Sequence, residues 1–547
     1  MTPFRRTWIL VGCLCIAACR DEKVSSGEES KPSRGGTVVI ATSGNAGGLF
    51  PPLVGSTIGR QVTELVYDYL TEVSPSLNTF DDKTFSPRLA KSWEWSRDSL
   101  SLSVHLHPEA RWHDGIPVRS DDVTFTYRIY TDTAIGSGQM EQLASIDSVT
   151  ATDSLTAVFW FNKRYPLQFY DATSQMQILP RHVFGKITRD FAQAAPSIDP
   201  VGSGRYRFLK RSGVETIELA ADTANYRGAP NVDRVIWRNF GDADAAARAL
   251  LAGEADIYDA MRPETVTAAA SHPELKIMMS PGSDYVFMTF NLRKPLFASR
   301  ELRRAITMAV DRQSMTTAVL DSLARPAIGP TVRYFPTTDT TLRQIPYDPQ
   351  AAARVLDSLG WRLDPKANVR KNGARELRFR IAYPSTSKNR QRMAVILAEQ
   401  LRKVGIAVDL DGMEFNTFTG RIFGKDFDAA MHNWHLGTSP ASIRELWTSK
   451  AIVANGNNIG SYSNPVFDVY VDSAVSTFDP TRKKTLYNRA YQTAIDDAPA
   501  IWLYEPRLVL GLSKRLRTTA YRPDAWWWSF ADWYIPENER IARDQVK

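Results

Sequence analysis

The chain has 547 residues, which is enough for more than one domain with a sizeable hydrophobic core. Its 67 Lys and Arg against 60 Asp and Glu give a formal net charge of +7, but the basic residues are scattered along the chain, which argues against nucleic-acid binding. All three cysteines lie between Cys13 and Cys19, so the remainder of the sequence cannot form a disulfide.

The N-terminal segment has the layout of an export signal. Two arginines precede an apolar run over residues 8–18, which is too short to span a bilayer as a helix. The letters IAAC, ending at Cys19, resemble the lipobox of bacterial lipoproteins, whose cysteine is lipidated and becomes the mature N-terminus. We therefore expect a signal peptide over residues 1–19, membrane anchoring through lipidated Cys19, and a flexible charged tether over residues 20–35.

Strand-like patterns dominate the first part of the mature chain. Residues 100–106 alternate apolar with polar side chains, and residues 153–166 are again strand-like, with a turn signal in front of them. Between them, Ser120 or Asp121 is predicted to cap a helix whose apolar residues begin at Val123. The region is predicted to be rich in strands.

The later part of the chain has an α/β pattern. Residues 376–384 alternate as a strand, residues 389–404 have an apolar helical face, and Gly405 stands where a left-handed C-terminal cap belongs. A second strand follows at residues 406–410. Because the joints are short, the two strands are predicted to be parallel.

Two further helices have clear sequence signals. Asp348 is predicted to be the N-cap of one, with Pro349 at the first helical position and Gly360 at the C-terminal side. The other is predicted over residues 302–310 from the spacing of its apolar side chains.

Five stretches occur together in one order over nearly all of the mature chain. They are ARWHDGIPVRSDDVTFTYR (110–128), DPVGSGRYRF (199–208), LLAGEADI (250–257), FNLRKPLFASRELRRAITMAVDR (290–312) and YDPQAAARVLDSLG (347–360). With them the sequence resembles the extracytoplasmic solute-binding proteins of family 5, the oligopeptide/dipeptide class, which deliver ligands to ABC importers.

The resemblance implies an α/β, two-lobed periplasmic-binding-protein fold of class II, cluster C, with a strand-rich subdomain inserted in lobe I. The chain is expected to cross between the lobes near residues 283–285 and 502–505. The implied divisions are 36–56 for the first segment of lobe I, 57–198 for the inserted subdomain, 199–283 for the second segment of lobe I, 284–504 for lobe II, and 505–547 for the C-terminal segment of lobe I.

The resemblance also implies a function. The chain is expected to capture a small-molecule or short-peptide ligand, with peptide as the family default, between the lobes by hinge closure and to pass it to ABC transporter permease subunits. The expected location is the periplasmic or extracytoplasmic face, lipid-anchored to the membrane. The protein is expected to be a monomer, without a cofactor and without enzymatic activity.

Ligand contacts are predicted where strands end at the cleft, since ligands of α/β sheets bind beyond the carboxyl ends of strands. The foremost candidate is Trp434, which lies near the carboxyl end of a predicted strand. The other candidates are Asn433 and His435 beside it, Tyr285 and Phe287 at the first crossing, and Ser43, Gly44 and Asn45 after the first strand of lobe I.

One departure from the family pattern concerns a peptide's ammonium group. Peptide binders of this family commonly place an acidic residue shortly after the tryptophan that corresponds to Trp434, whereas here HLGTSP follows and the next acid is Glu445. An ammonium buried without a counter-charge costs several kcal/mol. Either Glu445 or another carboxylate therefore pairs with the ligand, or the ligand is not a free peptide.

Three rival functions remain open from the sequence. A nickel-type or zinc-type metal site would use His105, His107 and His113, or His432 and His435. An oligosaccharide site would use the aromatic residues of 525–534, although core or surface packing is the simpler interpretation of that stretch. An enzyme has the least support, since the sequence has no G-x-S-x-G elbow, H-E-x-x-H helix or P-loop, and no cysteine nucleophile outside the signal.

Overall fold

A computed structural model describes residues 32–187, 191–213, 216–454 and 456–545. The predicted signal peptide, its Cys19 and the tether up to residue 31 lie outside these ranges. None of the helices within them has the length and hydropathy of a membrane span.

The helices agree well with the sequence signals. In chain order, α1 to α15 are Thr57–Val66, Ser120–Thr131, Gln168–Ser174, Arg181–Phe184, Phe191–Ala194, Ala243–Leu251, Pro263–Ala269, Arg300–Met308, Arg312–Leu320, Pro349–Ser358, Lys388–Lys403, Phe415–Phe423, Ile443–Trp447, Pro465–Ser476 and Pro480–Asp497. The predicted cap of α10 is confirmed, because the Asp348 carboxylate accepts a hydrogen bond from Ala351 N at 2.8 Å.

The prediction that Ser120 or Asp121 caps α2 is wrong, because the N-cap residue is Arg119. Ser120 is already the first helical residue, and its hydroxyl donates a hydrogen bond to the Asp153 carbonyl instead. The side chain of Asp122 accepts from Arg119 N at 2.8 Å. The acidic residue three positions into the capping box therefore fixes the start of the helix.

The strands β1 to β21 define the sheets. In chain order they are Thr37–Thr42, Thr71–Val73, Phe85–Pro87, Ala90–Trp95, Ser101–Leu106, Ile146–Asp153, Thr156–Phe161, Tyr206–Ser212, Thr216–Ala221, Arg234–Asn239, Ile257–Tyr258, Leu275–Pro281, Asp284–Phe290, Ala324–Pro326, Arg362–Asp364, Val369–Asn372, Arg375–Glu376, Arg378–Pro384, Ala407–Met413, Ala429–His435 and Ala500–Ser513. The 12-stranded main sheet has the order β19-β18-β20-β13-β21-β11-β1-β10-β9-β8, with β12 and β14 also paired to β21.

The strand β21 divides this sheet into two parts. Its first residues pair with β13, and its last residues pair with β12 and β11. We call the part with β1 and β8 to β12 lobe I and the part with β13 and β18 to β20 lobe II. The two are joined where β12 passes to β13 and in the middle of β21.

Lobe I carries the strand-rich insertion that the sequence predicted. A four-stranded antiparallel sheet of order β4-β5-β7-β6 packs with α2 and α3, and one hydrophobic core joins it to the main sheet. The C-terminal aromatic residues belong to that core, since Trp526 and Trp533 are fully buried. Core packing is therefore confirmed for these two tryptophans.

Lobe II contains the predicted strand-helix-strand unit. The strands β18 and β19 are parallel and joined by α11, as the sequence pattern indicated. Gly405 follows the helix with a φ of 80°, the left-handed conformation that glycine adopts most easily. Separate hydrophobic cores cover the two faces of the lobe II sheet.

Candidate ligand-binding site

A row of cavities follows the seam between the lobes. The first, here the polar cavity, has a volume of about 580 Å³. Its lining includes Arg60, Glu64, Arg522, Asp524 and Trp528 of lobe I and Gly437 and Thr438 of lobe II. Both lobes therefore contribute to its wall, and most of its charges come from lobe I.

The second cavity, here the acidic cavity, has a volume of about 500 Å³. Asp171 of the inserted subdomain and Glu445 of lobe II both line it. The hydroxyl oxygens of Tyr170 and Thr438 lie 2.5 Å apart across the seam, and both residues line the polar cavity as well. The contact between Tyr170 and Thr438 therefore lies where the polar cavity and the acidic cavity meet.

The third space, here the apolar groove, has a volume of about 940 Å³. Phe80 and Trp95 line it from the inserted subdomain, and Phe478 and Lys483 line it from lobe II. The Lys483 ammonium lies 3.3 Å from the Phe80 ring centroid, and burial lowers the pKa of Lys483 to about 8. The groove offers aromatic surface for apolar side chains.

The lobes touch at both sides of the seam. Arg60 Nη1 of lobe I lies 3.0 Å from His435 Nε2 of lobe II. Arg392, at the start of α11, forms a 3.4 Å ion pair with Glu264 of lobe I. These two contacts hold the lobes against each other along the seam.

The predicted contacts on β20 lie near the lobe II side of the seam, but none of the three residues lines a seam cavity. The side chain of Asn433 accepts a hydrogen bond from the Arg390 guanidinium, and His435 Nδ1 lies 2.8 Å from an Asp284 carboxylate oxygen. Trp434 is half-buried, and its indole N–H is shielded without a partner among the described residues. All three remain predictions as ligand contacts.

Tyr285 and Phe287 do not face the cleft as expected. Both side chains are fully buried, and Tyr285 Oη accepts a hydrogen bond from Trp447 Nε1 at 2.8 Å. The reason is that β13 lies inside the sheet between β20 and β21, so hydrophobic cores cover both of its faces. These two residues lie beside β20 in the same sheet, where Tyr285 is opposite Trp434 and Phe287 is opposite His432.

The loop that contains Ser43, Gly44 and Asn45 is exposed. It follows β1, and the Thr42 hydroxyl donates to the Gly44 carbonyl at 3.1 Å. The loop borders none of the three seam cavities. Its role in ligand contact stays a prediction.

The histidines do not assemble a metal site. His432 and His435 project from opposite faces of β20, as their odd spacing on a strand requires. Burial, and then the Arg390 charge, lower the pKa of His432 to about 3, so its imidazole is neutral. In the described part of the chain, no three or more His, Cys, Asp or Glu side chains are grouped as metal ligands. The other predicted histidines have separate neighbours, namely Thr156 for His105, Tyr226 for His107 and Gly204 for His113.

Comparison with known proteins decides the family. The family model described as bacterial extracellular solute-binding proteins, family 5 Middle, matches residues 84–454. The chain belongs to this family. An extracytoplasmic location follows for this family 5 protein, as the sequence resemblance implied.

Relatives of this family 5 protein extend over almost the whole chain. The oligopeptide-binding protein AppA of Bacillus subtilis is 24% identical over 548 residues, which cover 96% of this chain and 97% of AppA. Its structure in complex with a nonapeptide has a TM-score of 0.81 at 24% identity and covers 92% of this chain and 100% of that one.

Two further structures show the same fold. DppA from Helicobacter pylori, in complex with the peptide STSA, has a TM-score of 0.79 at 21% identity and covers 92% of this chain and 99% of that one. NikZ from Campylobacter jejuni, in complex with Ni(L-His), has a TM-score of 0.79 at 23% identity and covers 91% of this chain and 99% of that one. The predicted two-lobed α/β fold of the family is therefore confirmed.

Two carboxyl groups of this family 5 protein face the acidic cavity with raised pKa values. Burial raises the pKa of Asp171 to about 8, although Tyr165 Oη donates a hydrogen bond to it at 2.9 Å. Burial, and then the Glu141 carboxylate, raise the pKa of Glu445 to about 7. Glu445 is therefore partly protonated near neutral pH and is a weak counter-charge for an ammonium group.

The raised pKa of Asp171 predicts a fall in stability with pH. Between the ordinary pKa of an aspartate, about 4, and about 8, the folded state holds a proton that the unfolded state has lost, so the free energy of unfolding decreases as pH rises. We expect Asp171→Asn to flatten this fall. Urea unfolding across that pH range measures the free energy of unfolding of both proteins. An equally steep fall in the variant would show that Asp171 does not cause it.

Sequence reasoning missed several polar residues of the seam. Arg390 is half-buried and forms no ion pair with a carboxylate of the described residues, and burial lowers its pKa. Arg522 and Asp524 stand directly before the C-terminal tryptophans, a stretch for which only packing or sugar stacking was considered. An arginine and an aspartate beside an aromatic run were the signal that could have indicated a buried ion pair, since buried charges require partners.

Proposed function

We propose that this protein is the peptide-binding component of an ABC importer. It captures a short peptide between its lobes by hinge closure and delivers it to the permease, whose subunits contact the outer faces of the closed lobes. We also propose that lipidated Cys19 holds a monomeric protein at the membrane surface, with no cofactor and no turnover of the ligand.

The lobe boundaries belong to this proposal. We place the first and second segments of lobe I at 36–56 and 199–283, the inserted subdomain at 57–198, lobe II at 284–504 and the C-terminal segment of lobe I at 505–547. The start of β13 at Asp284 supports the first crossing, and the change of partners along β21 supports the second.

The observation that carries the proposal is the row of cavities lined by both lobes. A peptide needs separate partners for its charged ends, its backbone and its side chains. The polar cavity offers charges of both signs, and the apolar groove offers aromatic surface. The names of similar proteins, such as the oligopeptide-binding protein AppA of Bacillus subtilis, support the same ligand class.

Residues at the lobe II side of the seam are proposed to hold the peptide backbone. Trp434, Asn433 and His435 end β20, which leads within two residues to Gly437 and Thr438. His435 also contacts Arg60, which lines the polar cavity. Ser43, Gly44 and Asn45 are proposed to approach the ligand from lobe I, with Tyr285 and Phe287 supporting β20.

The experiment that tests the function is ligand identification. Protein without its signal peptide is purified, denatured, and the released molecules are identified by mass spectrometry. We expect short peptides, recovered intact. Titration of tryptophan fluorescence with short peptides, oligosaccharides and Ni(L-His) then compares the classes. A response to sugar or metal with silence toward all peptides would contradict the proposal.

A further inference from the structure

One hydrogen bond joins the lobes beside the first crossing. Arg60 Nη1, on α1, lies 3.0 Å from His435 Nε2, at the end of β20. On the other side of the ring, His435 Nδ1 lies 2.8 Å from an Asp284 carboxylate oxygen and 3.1 Å from Ser283 Oγ. Ser283 directly precedes β13, which begins at Asp284. The His435 side chain therefore contacts both lobe I and the crossing segment.

The chemistry of these partners fixes the protonation of His435 in this contact. A guanidinium group has hydrogen-bond donors only, so His435 Nε2 accepts from Arg60 and carries no proton. Nδ1 then carries the one proton of the neutral ring and donates it to the Asp284 carboxylate. The contact between Arg60 and His435 therefore requires a neutral imidazole.

Protonation of His435 affects its two contacts differently. With a proton on both ring nitrogens, Nε2 no longer accepts a hydrogen bond, and the positive imidazolium faces the positive guanidinium of Arg60. The contact with Asp284 survives, because Nδ1 keeps its proton and the two residues are opposite each other on β20 and β13. Protonation therefore weakens the contact between the lobes and keeps the contact within lobe II.

The surrounding charges favour the same outcome. Glu64, one turn after Arg60 on α1, lies 3.4 Å from the Arg60 guanidinium and draws it toward lobe I. The other groups that act electrostatically on Arg60 or Asp284 are two tyrosines and two charged side chains, namely Tyr69, Tyr504, Asp524 and Arg390. Burial raises the pKa of both tyrosines, so they stay neutral. Of these residue types, only histidine normally changes its charge between pH 5 and pH 8.

We propose that the contact between Arg60 and His435 is a proton-sensitive latch between the lobes. While His435 is neutral, the latch holds the lobes together and retains the ligand. When His435 gains a proton, the latch opens, so the ligand leaves sooner in acid. This inference rests on the proposed closure of the lobes around a peptide. It makes Arg60 and His435 positioning residues for that closure, in addition to the ligand contact proposed at the end of β20.

The test measures peptide retention at about pH 8 and about pH 5. Purified protein is loaded with a library of tripeptides and tetrapeptides and diluted, and the peptide that stays bound is followed over time by mass spectrometry. We expect the wild type to release peptide about 10-fold faster in acid, because a hydrogen bond is lost and like charges meet. Small-angle scattering of the ligand-free protein should show a larger radius of gyration at the lower pH.

Two variants isolate the titration of His435. His435→Gln keeps an acceptor for Arg60 but gains no proton, so its release rates at the two pH values should differ by about 2-fold or less. His182→Gln is the matched control. His182 also pairs with an aspartate, Asp114 at 2.6 Å, but both residues belong to the inserted subdomain and border none of the seam cavities. This variant should keep the wild-type ratio. Glu445 is present in every variant, so its titration does not explain a difference between them.

The outcomes separate the latch from the proposed function. Release that is equally fast at both pH values in the wild type, or an equal acceleration in His435→Gln, overturns the latch and leaves peptide binding in place. Capture of no peptide at either pH overturns the proposed function. In that case the scattering decides on the latch, and a radius of gyration that does not rise in acid overturns it. If His435→Gln is unstable, Arg60→Gln gives the same decision, because it removes the charge that repels protonated His435.

Discussion

Gly437→Phe is expected to abolish peptide binding while leaving the fold intact. Gly437 lines both the polar cavity and the acidic cavity. A Cβ at this position meets no atom within 4 Å, and the backbone is outside the left-handed region, so a side chain is tolerated there. The new ring would occupy ligand space, and we expect affinity to fall by about 100-fold or more.

A matched substitution controls for the added bulk. Gly420 lies on the exposed face of α12, its Cβ would also meet no atom within 4 Å, and it borders none of the seam cavities. Gly420→Phe should therefore bind peptide within about 2-fold of the wild type. Fluorescence titration measures both variants, and thermal unfolding confirms that they fold. Wild-type affinity in Gly437→Phe would place the ligand elsewhere.

Asp256→Ala is expected to lower the free energy of unfolding much more than the same substitution at an exposed aspartate. Asp256 is 1% exposed and accepts hydrogen bonds from Val39 N at 2.9 Å, Arg515 Nε at 2.7 Å and Arg543 Nη2 at 2.6 Å. It therefore ties the C-terminal segment to β1. Removing one partner of a buried charge network leaves the others uncompensated, which lowers the free energy of unfolding by about 3–5 kcal/mol.

An exposed aspartate–arginine pair provides the comparison. Asp409 accepts from Arg378 Nη1 at 2.8 Å, but the two side chains are 49% and 46% exposed. Asp409→Ala should cost about 1 kcal/mol or less, since solvent screens the pair. Urea unfolding followed by circular dichroism measures both variants. Equal losses would show that burial does not govern the contribution of Asp256.

The sequence predicted the local elements of lobe II well because their signals are local. Asp348 and Pro349 start α10, and Gly405 ends the α11 region, each through its own backbone or side-chain preference. The start of α2 was predicted less well, because the Ser120 hydroxyl bonds to the Asp153 carbonyl and the Asp122 carboxylate accepts from Arg119 N. The contact with Asp153, 33 residues further along the chain, is tertiary and has no local signal in the sequence.

The candidate site was predictable only in part. The rule that ligands bind beyond strand ends pointed to β20, and the chain after it does border the seam cavities. The rule failed for the orientation of Tyr285 and Phe287, because alternation along a strand does not tell which face is covered when both are apolar. Asp524 was missed as a lining residue because the polar cavity forms only where distant segments, such as the one that contains Arg60, come together.

The strand β21 is shared by both lobes along its 14 residues. Its backbone satisfies hydrogen bonds in lobe II at one end and in lobe I at the other, so neither lobe can lose its structure without disturbing the pairing of this strand in the other. Heat should therefore melt the two lobes in one concerted step. A bound peptide would raise the temperature of that step for the molecule as a whole.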